Sequence, residues 1–138
     1  MTSDQIAIVR RTWARLAPVT DRAAALFYER LFELEPSNRV LFGPVDLQEH
    51  GRKLFQNLGV ILDLLDRPDE LLTAVAELGR RHAMHGVGGR HYGMAADALF
   101  TVLECCLGPT FTPNARAAWS LAYWTVARAM QRAAAQVA

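Results

Sequence analysis

Two histidines in this sequence stand where a buried ligand would be expected. Reading back from His82 at helical steps gives Leu78, Val75 and Leu71, so His82 ends an apolar stripe that Gly86 stops one turn later. A histidine on such a face needs a partner in the core, which can be a carbonyl, a buried water or a metal. Taken alone, His82 is more typical of a core histidine with an ordinary hydrogen bond than of a ligand.

His50 lies on the apolar face of the preceding helix, one turn before Leu54. A short turn containing Pro68 joins the two helices, so they can pack as neighbours and turn His50 and His82 towards one cavity. Neither a cysteine nor a carboxylate completes a zinc site on these faces. A flat cofactor that brings four equatorial nitrogens needs only one or two axial ligands, and haem is such a cofactor.

The elements that must position these residues are helices. No stretch alternates with period two, which predicts an all-α domain of about seven helices, with a bundle without a ligand as the alternative fold. Capping residues and Pro or Gly breakers set the predicted bounds. The predicted helices cover Thr2 to before Pro18, Thr20 or Asp21 to Glu35, Pro36 to Phe42, Gln48 to Asp66, Asp69 to before Gly86, Tyr92 to Leu107, and Thr112 to a fraying tail, 132–138.

The bulk properties narrow the class of protein. The 138 residues are 51% hydrophobic with a formal net charge of +1, which predicts one domain over 1–138 and excludes disorder or a strong basic field for nucleic acid. No apolar stretch approaches the ~20 residues that span a bilayer, and no signal sequence is visible. Cys105 and Cys106 are adjacent, so we interpret them as reduced core thiols of a cytoplasmic protein.

A set of residues spread along the whole chain resembles the globins. These residues are Trp13, Phe27–Tyr28, Pro36 with Phe42 six positions later, His50, Leu54 and His82. Their order and spacing, rather than any single motif, carry the resemblance, which covers nearly all 138 residues. It is strongest to the bacterial single-domain haemoglobins related to the flavohaemoglobins. The resemblance implies a globin fold around haem b, iron protoporphyrin IX.

The resemblance also implies a role for each matching residue. His82 matches the proximal histidine that binds iron, and Phe42 matches the phenylalanine that stacks on haem. His50 falls at the distal position, where this bacterial group more often has glutamine. Tyr28 matches the distal tyrosine that donates a hydrogen bond to the bound gas, and Leu54 matches the apolar residue above the iron.

Further haem contacts are expected from the segments around these residues. Leu78 and Val87 lie in matching segments on the proximal side. Lys53, Arg81, Arg90 and His91 are candidates to pair with the haem propionates. Charged residues at such positions are more often simply solvated, so these four are the weaker assignments.

Two arrangements of the distal side remain open from sequence. Tyr28 and His50 can both donate to bound O2, which predicts tight binding and slow release. Alternatively His50 binds the iron directly, giving six-coordinate iron whose apparent gas affinity is lowered by the fraction of open form. The residues do not choose between the two.

The proximal side departs from the flavohaemoglobin pattern. Tyr92 matches the tyrosine of the proximal network, but the glutamate's expected place falls near Ala133–Ala134, and residues 119–138 contain no carboxylate. A carboxylate partner makes a ligating imidazole more basic, so peroxidase-like chemistry is disfavoured. We expect the second nitrogen of His82 to donate to a backbone carbonyl near Leu78.

The expected function is reversible binding of O2, or of NO or CO, by a monomer or weak homodimer rather than an enzyme. The alternative is a nitric oxide dioxygenase, which would require an external reductase because each turnover leaves ferric iron. A gas or redox sensor and a haem-free helical module are the remaining hypotheses. No membrane or nucleic-acid partner is expected.

Overall fold

The computed structural model describes residues 1–136, and within that range the chain is helical without a strand. Its six α-helices are α1 (Ser3–Ala14), α2 (Thr20–Leu34), α3 (Leu47–Asp63), α4 (Pro68–Met84), α5 (Gly89–Leu107) and α6 (Pro113–Ala135). Shorter 3₁₀ segments cover Ala17–Val19, Pro36–Phe42 and Gly108–Thr110. The all-α prediction is confirmed, with the short third helix folding as a 3₁₀ segment.

Local capping rules account for most helix bounds. The predicted capping box at the start of α1 is present, since Thr2 and Gln5 bond each other's backbone N–H groups at 3.1 and 2.8 Å. Thr112 caps α6, whose first residue is Pro113, as predicted. The tail of α6 is helical to Ala135, further than the expected fraying allowed; Val137 and Ala138 lie outside the described residues.

Two predicted bounds were wrong by about one turn. Helix α3 ends at Asp63 rather than at Asp66, and the residues that follow Asp63 form a tight turn. Helix α5 begins at Gly89 rather than near Tyr92, because the His91 side chain accepts the Gly88 N–H at 2.8 Å and so caps this end. The glycines before Tyr92 had indicated a longer loop.

The helices that carry the two histidines pack on different partners. Helix α4 lies along α6, and α3 lies along α2, whereas α3 and α4 touch each other only sparsely. The prediction that the two helices pack side by side is therefore wrong: a short turn joins them, but each packs mainly on another helix. The largest fully buried apolar side chains come from α1, the turn after it, α4 and α5; they are Val9, Leu16, Val75, Val102 and Leu103.

A glycine seats each of these helices against its partner. A Cβ atom on Gly79 would lie 2.3 Å from the Met130 carbonyl oxygen on α6. A Cβ on Gly51 would lie 2.7 Å from the Ala24 Cβ on α2. Both distances are shorter than real Cβ contacts, so only glycine permits helix axes this close. None of the helices described is long and apolar enough to cross a membrane.

Candidate functional site

The hydrogen bond of His82 determines which of its two ring nitrogens is free to bind a ligand. His82 Nδ1 lies 2.9 Å from the Leu78 carbonyl oxygen one turn earlier, which confirms the partner expected from sequence. Because a carbonyl only accepts, the proton is on Nδ1 and the lone pair is on Nε2. The side chain therefore presents the nitrogen of a metal ligand on the far side of the ring from its own helix.

The end of α4 fixes the backbone of His82. Gly86 has a φ of 87°, and the Gly86 and Val87 N–H groups donate to the carbonyls of Ala83 and His82 at 3.1 and 3.0 Å. This pair of bonds is the Schellman ending of a helix, which favours glycine at the left-handed position. It places half-buried Val87 directly after the histidine turn.

His50 is hydrogen-bonded to Tyr28, the residue that the globin resemblance implies on the same distal side. The Tyr28 hydroxyl oxygen and His50 Nδ1 are 2.5 Å apart, and the Tyr28 side chain is only 4% exposed. The Phe42 ring packs edge-on against both, with centroids 5.4 Å from Tyr28 and 5.1 Å from His50. The structure thus brings together three of the predicted site residues.

An aromatic wall surrounds this pair. The Tyr28 ring also contacts Phe27 and Phe32 at centroid distances of 5.4 and 6.0 Å, and Phe32 contacts Phe42 at 5.9 Å. Sequence analysis missed Phe32, although it lies four residues after Tyr28 and therefore on the same helix face. None of these phenylalanines can bond the Tyr28 hydroxyl as a conventional acceptor.

Burial keeps the two imidazoles neutral. Burial is the main cause that lowers the pKa of His82 below the ordinary 6.5. The hydrogen bond to Leu78 opposes this shift, and the charge of Arg81, with those of His85 and His50 when they are protonated, adds to it. Burial, followed by the charge of Lys53, lowers the pKa of His50. The influence of His50 on His82 means that the two rings lie within electrostatic range of each other.

Neither Nε2 atom has a hydrogen-bond partner among the described residues. Half-buried apolar side chains share the same helix faces: Leu54 follows His50 by one turn, and Leu78 precedes His82 by one turn. No group of three or more His, Cys, Asp or Glu side chains in 1–136 is arranged to hold a bare metal ion. The donor set therefore fits a metal whose other ligands come from a flat ring.

The predicted propionate partners divide into two groups. Lys53 and Arg81 are exposed and have no ion pair among the described residues. His91 is already engaged at the start of α5 through Nδ1, and the neighbouring Arg90 pairs with Glu35 at 3.0 Å. Of the predicted propionate partners, Lys53 and Arg81 are therefore the two that remain available for an anionic group.

A cavity lies beside the position where the flavohaemoglobin pattern would put a carboxylate. The Tyr92 ring lies beside His82 with centroids 6.4 Å apart, and its backbone carbonyl accepts the Tyr123 hydroxyl at 2.5 Å. Ala134 and Gln131 of α6 help to line a cavity of about 210 Å³ that also borders Tyr92. The only side-chain hydrogen bond of His82 in the described residues is to the Leu78 carbonyl.

Fold and site together define a helical protein with two half-buried imidazoles within electrostatic range of each other, each with a free Nε2 among the described residues. Comparison with known proteins identifies its family. The sequence model of the family described as Globin matches residues 25–130, more than half of the chain. The chain therefore belongs to the globin family.

Individual relatives have low sequence identity to this chain, but the matches cover most of its length. The neuroglobin of Danio rerio is 27% identical over 138 residues, covering 91% of this chain and 87% of the relative, and that of Tetraodon nigroviridis is 26% identical over 96% and 91%. A flavohemoprotein of Xylella fastidiosa is 28% identical, and the match spans 32% of that longer protein. The crystal structure of a hexacoordinated heme protein from an anhydrobiotic tardigrade superposes with a TM-score of 0.85 at 16% identity, covering 97% and 95% of the two chains.

Proposed function

We propose that this globin holds haem b, with His82 as the proximal iron ligand, and binds O2, NO or CO reversibly on the side of His50. The observation that carries the proposal is the His82–Leu78 bond, which puts an unengaged lone pair on Nε2 of a buried, neutral ring. Iron held by porphyrin and one imidazole supplies an open coordination position for a diatomic gas. Membership of the globin family supports the same assignment.

The other site residues have physically matched roles. Phe42 would stack on the porphyrin, and Leu54, Leu78 and Val87 would contact its apolar surface. Lys53 and Arg81 would pair with the propionates; His91 is the weaker candidate because its Nδ1 already caps α5. On the gas side, His50 would donate a hydrogen bond worth about 1.5–3 kcal/mol to a polarised ligand. The Tyr28 hydroxyl, expected from sequence to be a second donor, is bonded to His50 instead and would act on the gas through it.

The first test is haem uptake. We expect the purified protein to bind one equivalent of haemin with a Soret band, and His82→Gly to lose tight haem unless imidazole is supplied. His85→Gly is the matched control, because His85 also bonds a carbonyl one turn back, Arg81, at 2.7 Å but is exposed. Tight haem in His82→Gly without imidazole would contradict the proximal assignment.

The proposal extends to the protein as a whole. We propose one globin domain over residues 1–138 that acts in the bacterial cytoplasm, in oxygen binding or transport, as a monomer or weak homodimer. Both cysteines are free thiols, which suits a reducing compartment. The prediction that they lie in the core is wrong for Cys105, which is exposed. Sedimentation of the holoprotein at several concentrations tests the oligomeric state.

Nitric oxide dioxygenase activity is the second candidate, and the similarity to a flavohemoprotein favours it. The reaction would need electrons from an external reductase. The carbonyl partner of His82 makes this activity the weaker candidate, because a carbonyl raises the basicity of an imidazole less than a carboxylate does. Sustained NO consumption with a supplied reductase would establish the activity, and a single stoichiometric burst would oppose it.

A further inference from the structure

His82 and His50 have hydrogen-bond partners of different kinds. The carbonyl that bonds His82 can only accept, so the tautomer of His82 is fixed. The Tyr28 hydroxyl that bonds His50 can either donate or accept. Among the described residues this hydroxyl has no other partner, and the neighbouring rings, Phe27, Phe32 and Phe42, offer it no oxygen or nitrogen.

We infer that Tyr28 is a positioning residue that holds His50 in the tautomer with the proton on Nε2, and thereby opposes binding of His50 to iron. This inference rests on the proposed haem function. In that tautomer His50 is a hydrogen-bond donor to an incoming gas and has no lone pair on Nε2 for the metal. Tyr28 thus favours the open, five-coordinate arrangement over the His50-bound one.

The proton count shows why the two arrangements exclude each other. In the open form the Tyr28 hydroxyl donates to the Nδ1 lone pair of His50, and the imidazole carries its single proton on Nε2. To bind iron, Nε2 must release that proton while Nδ1 gains one, so the ring keeps its charge. Nδ1–H can then donate to the Tyr28 oxygen, but the phenolic hydrogen loses its acceptor.

The aromatic wall makes that loss unfavourable. A buried hydroxyl without an acceptor is destabilised relative to one with an acceptor, enough to shift an equilibrium by about tenfold or more. A phenol has an ordinary pKa of about 10, so the hydroxyl keeps its hydrogen at neutral pH. Removing the hydroxyl removes the penalty, and we therefore expect Tyr28→Phe to raise the ratio of His50-bound to open iron about tenfold.

The experiment measures this ratio in the haem-loaded protein. Ferrous visible spectra and the amplitudes of CO rebinding after photolysis give the ratio in wild type and Tyr28→Phe. Tyr123→Phe is the matched control, because it also deletes a hydroxyl with a 2.5 Å bond, but that bond goes to Tyr92. In a His50→Leu background, Tyr28→Phe should leave the iron five-coordinate, because the effect requires His50.

A second measurement reads the tautomer without any substitution. Nitrogen-15 NMR of the diamagnetic CO complex should show His50 protonated on Nε2 in wild type and a tautomer mixture in Tyr28→Phe. A wild-type His50 protonated on Nδ1, or an unchanged or smaller ratio in Tyr28→Phe, would overturn the inference while leaving haem binding intact. Absence of a Soret band would instead refute the proposed function itself.

Discussion

Replacing Gly79 by alanine would put a methyl group where the backbone of α6 now lies. The added Cβ would meet three main-chain atoms of Met130, its carbonyl oxygen, Cα and carbonyl carbon, at 2.3, 2.6 and 2.8 Å. Main-chain atoms within a helix cannot turn aside as a flexible side chain can. Helices α4 and α6 would therefore have to separate.

The size of the effect follows from those distances. Ordinary Cβ contacts begin near 3.4 Å, so the oxygen contact alone requires a separation of roughly 1 Å. Forcing extra volume into a packed interface costs about 1–3 kcal/mol, and backbone obstruction belongs at the upper end. Alanine regains about 1 kcal/mol through its better helix propensity. We expect a net loss of about 2 kcal/mol in the free energy of unfolding.

Urea unfolding of the haem-loaded protein measures this loss, and the rate of haem release provides a second readout. His82 lies three residues after Gly79, so a displaced α4 should also release haem faster. Gly93→Ala is the control, because Gly93 lies inside α5 with no atom within 4 Å of an added Cβ. It should stabilise by up to about 1 kcal/mol. If Gly79→Ala and Gly93→Ala change the free energy of unfolding equally, the close contact of α4 with α6 does not restrict which side chain fits at position 79.

Two further predictions follow from the same structure. Gly51→Ala should destabilise by about 1–3 kcal/mol in urea, because its Cβ would lie 2.7 Å from that of Ala24; a neutral result would mean that α3 shifts freely on α2. Stability should also fall as pH drops below 6.5. Burial lowers the folded-state pKa of His82 and His50, so the unfolded chain binds protons first; stability is complete above 6.5 and is lost on acidification. The free energy of unfolding, measured in urea between pH 7.5 and 5, should fall as the pH falls, and His50→Gln should reduce this slope. An unchanged slope in His50→Gln would contradict the assignment of part of the pH dependence to His50.

Features set by neighbouring residues were accessible from the sequence. The partner of His82 followed from helix geometry alone, because a side chain at the end of α4 reaches the carbonyl four residues earlier. The caps at Thr2 and Thr112 were equally local. The start of α5 was missed because glycines usually indicate a loop, whereas here the His91 side chain caps the helix.

Features set by helix crossings were not accessible. The bond between Tyr28 and His50 depends on how closely α3 approaches α2, and that approach depends on Gly51 facing Ala24. A lone glycine in a helix pattern indicates only a weaker helix, and its partner lies elsewhere in the chain. The same limit hid the contact of Gly79 with α6, whereas Phe32 was within reach of the helical spacing from Tyr28.

The cavity of about 210 Å³ beside Tyr92 gives this globin a short evolutionary route. An alanine codon is one nucleotide away from an acidic one, and a longer side chain at Ala134 would grow into space that no protein atom occupies. A single mutation there would bring a carboxylate into the cavity that Tyr92 borders. The chain can therefore gain an acidic group beside Tyr92 while its fold stays the same.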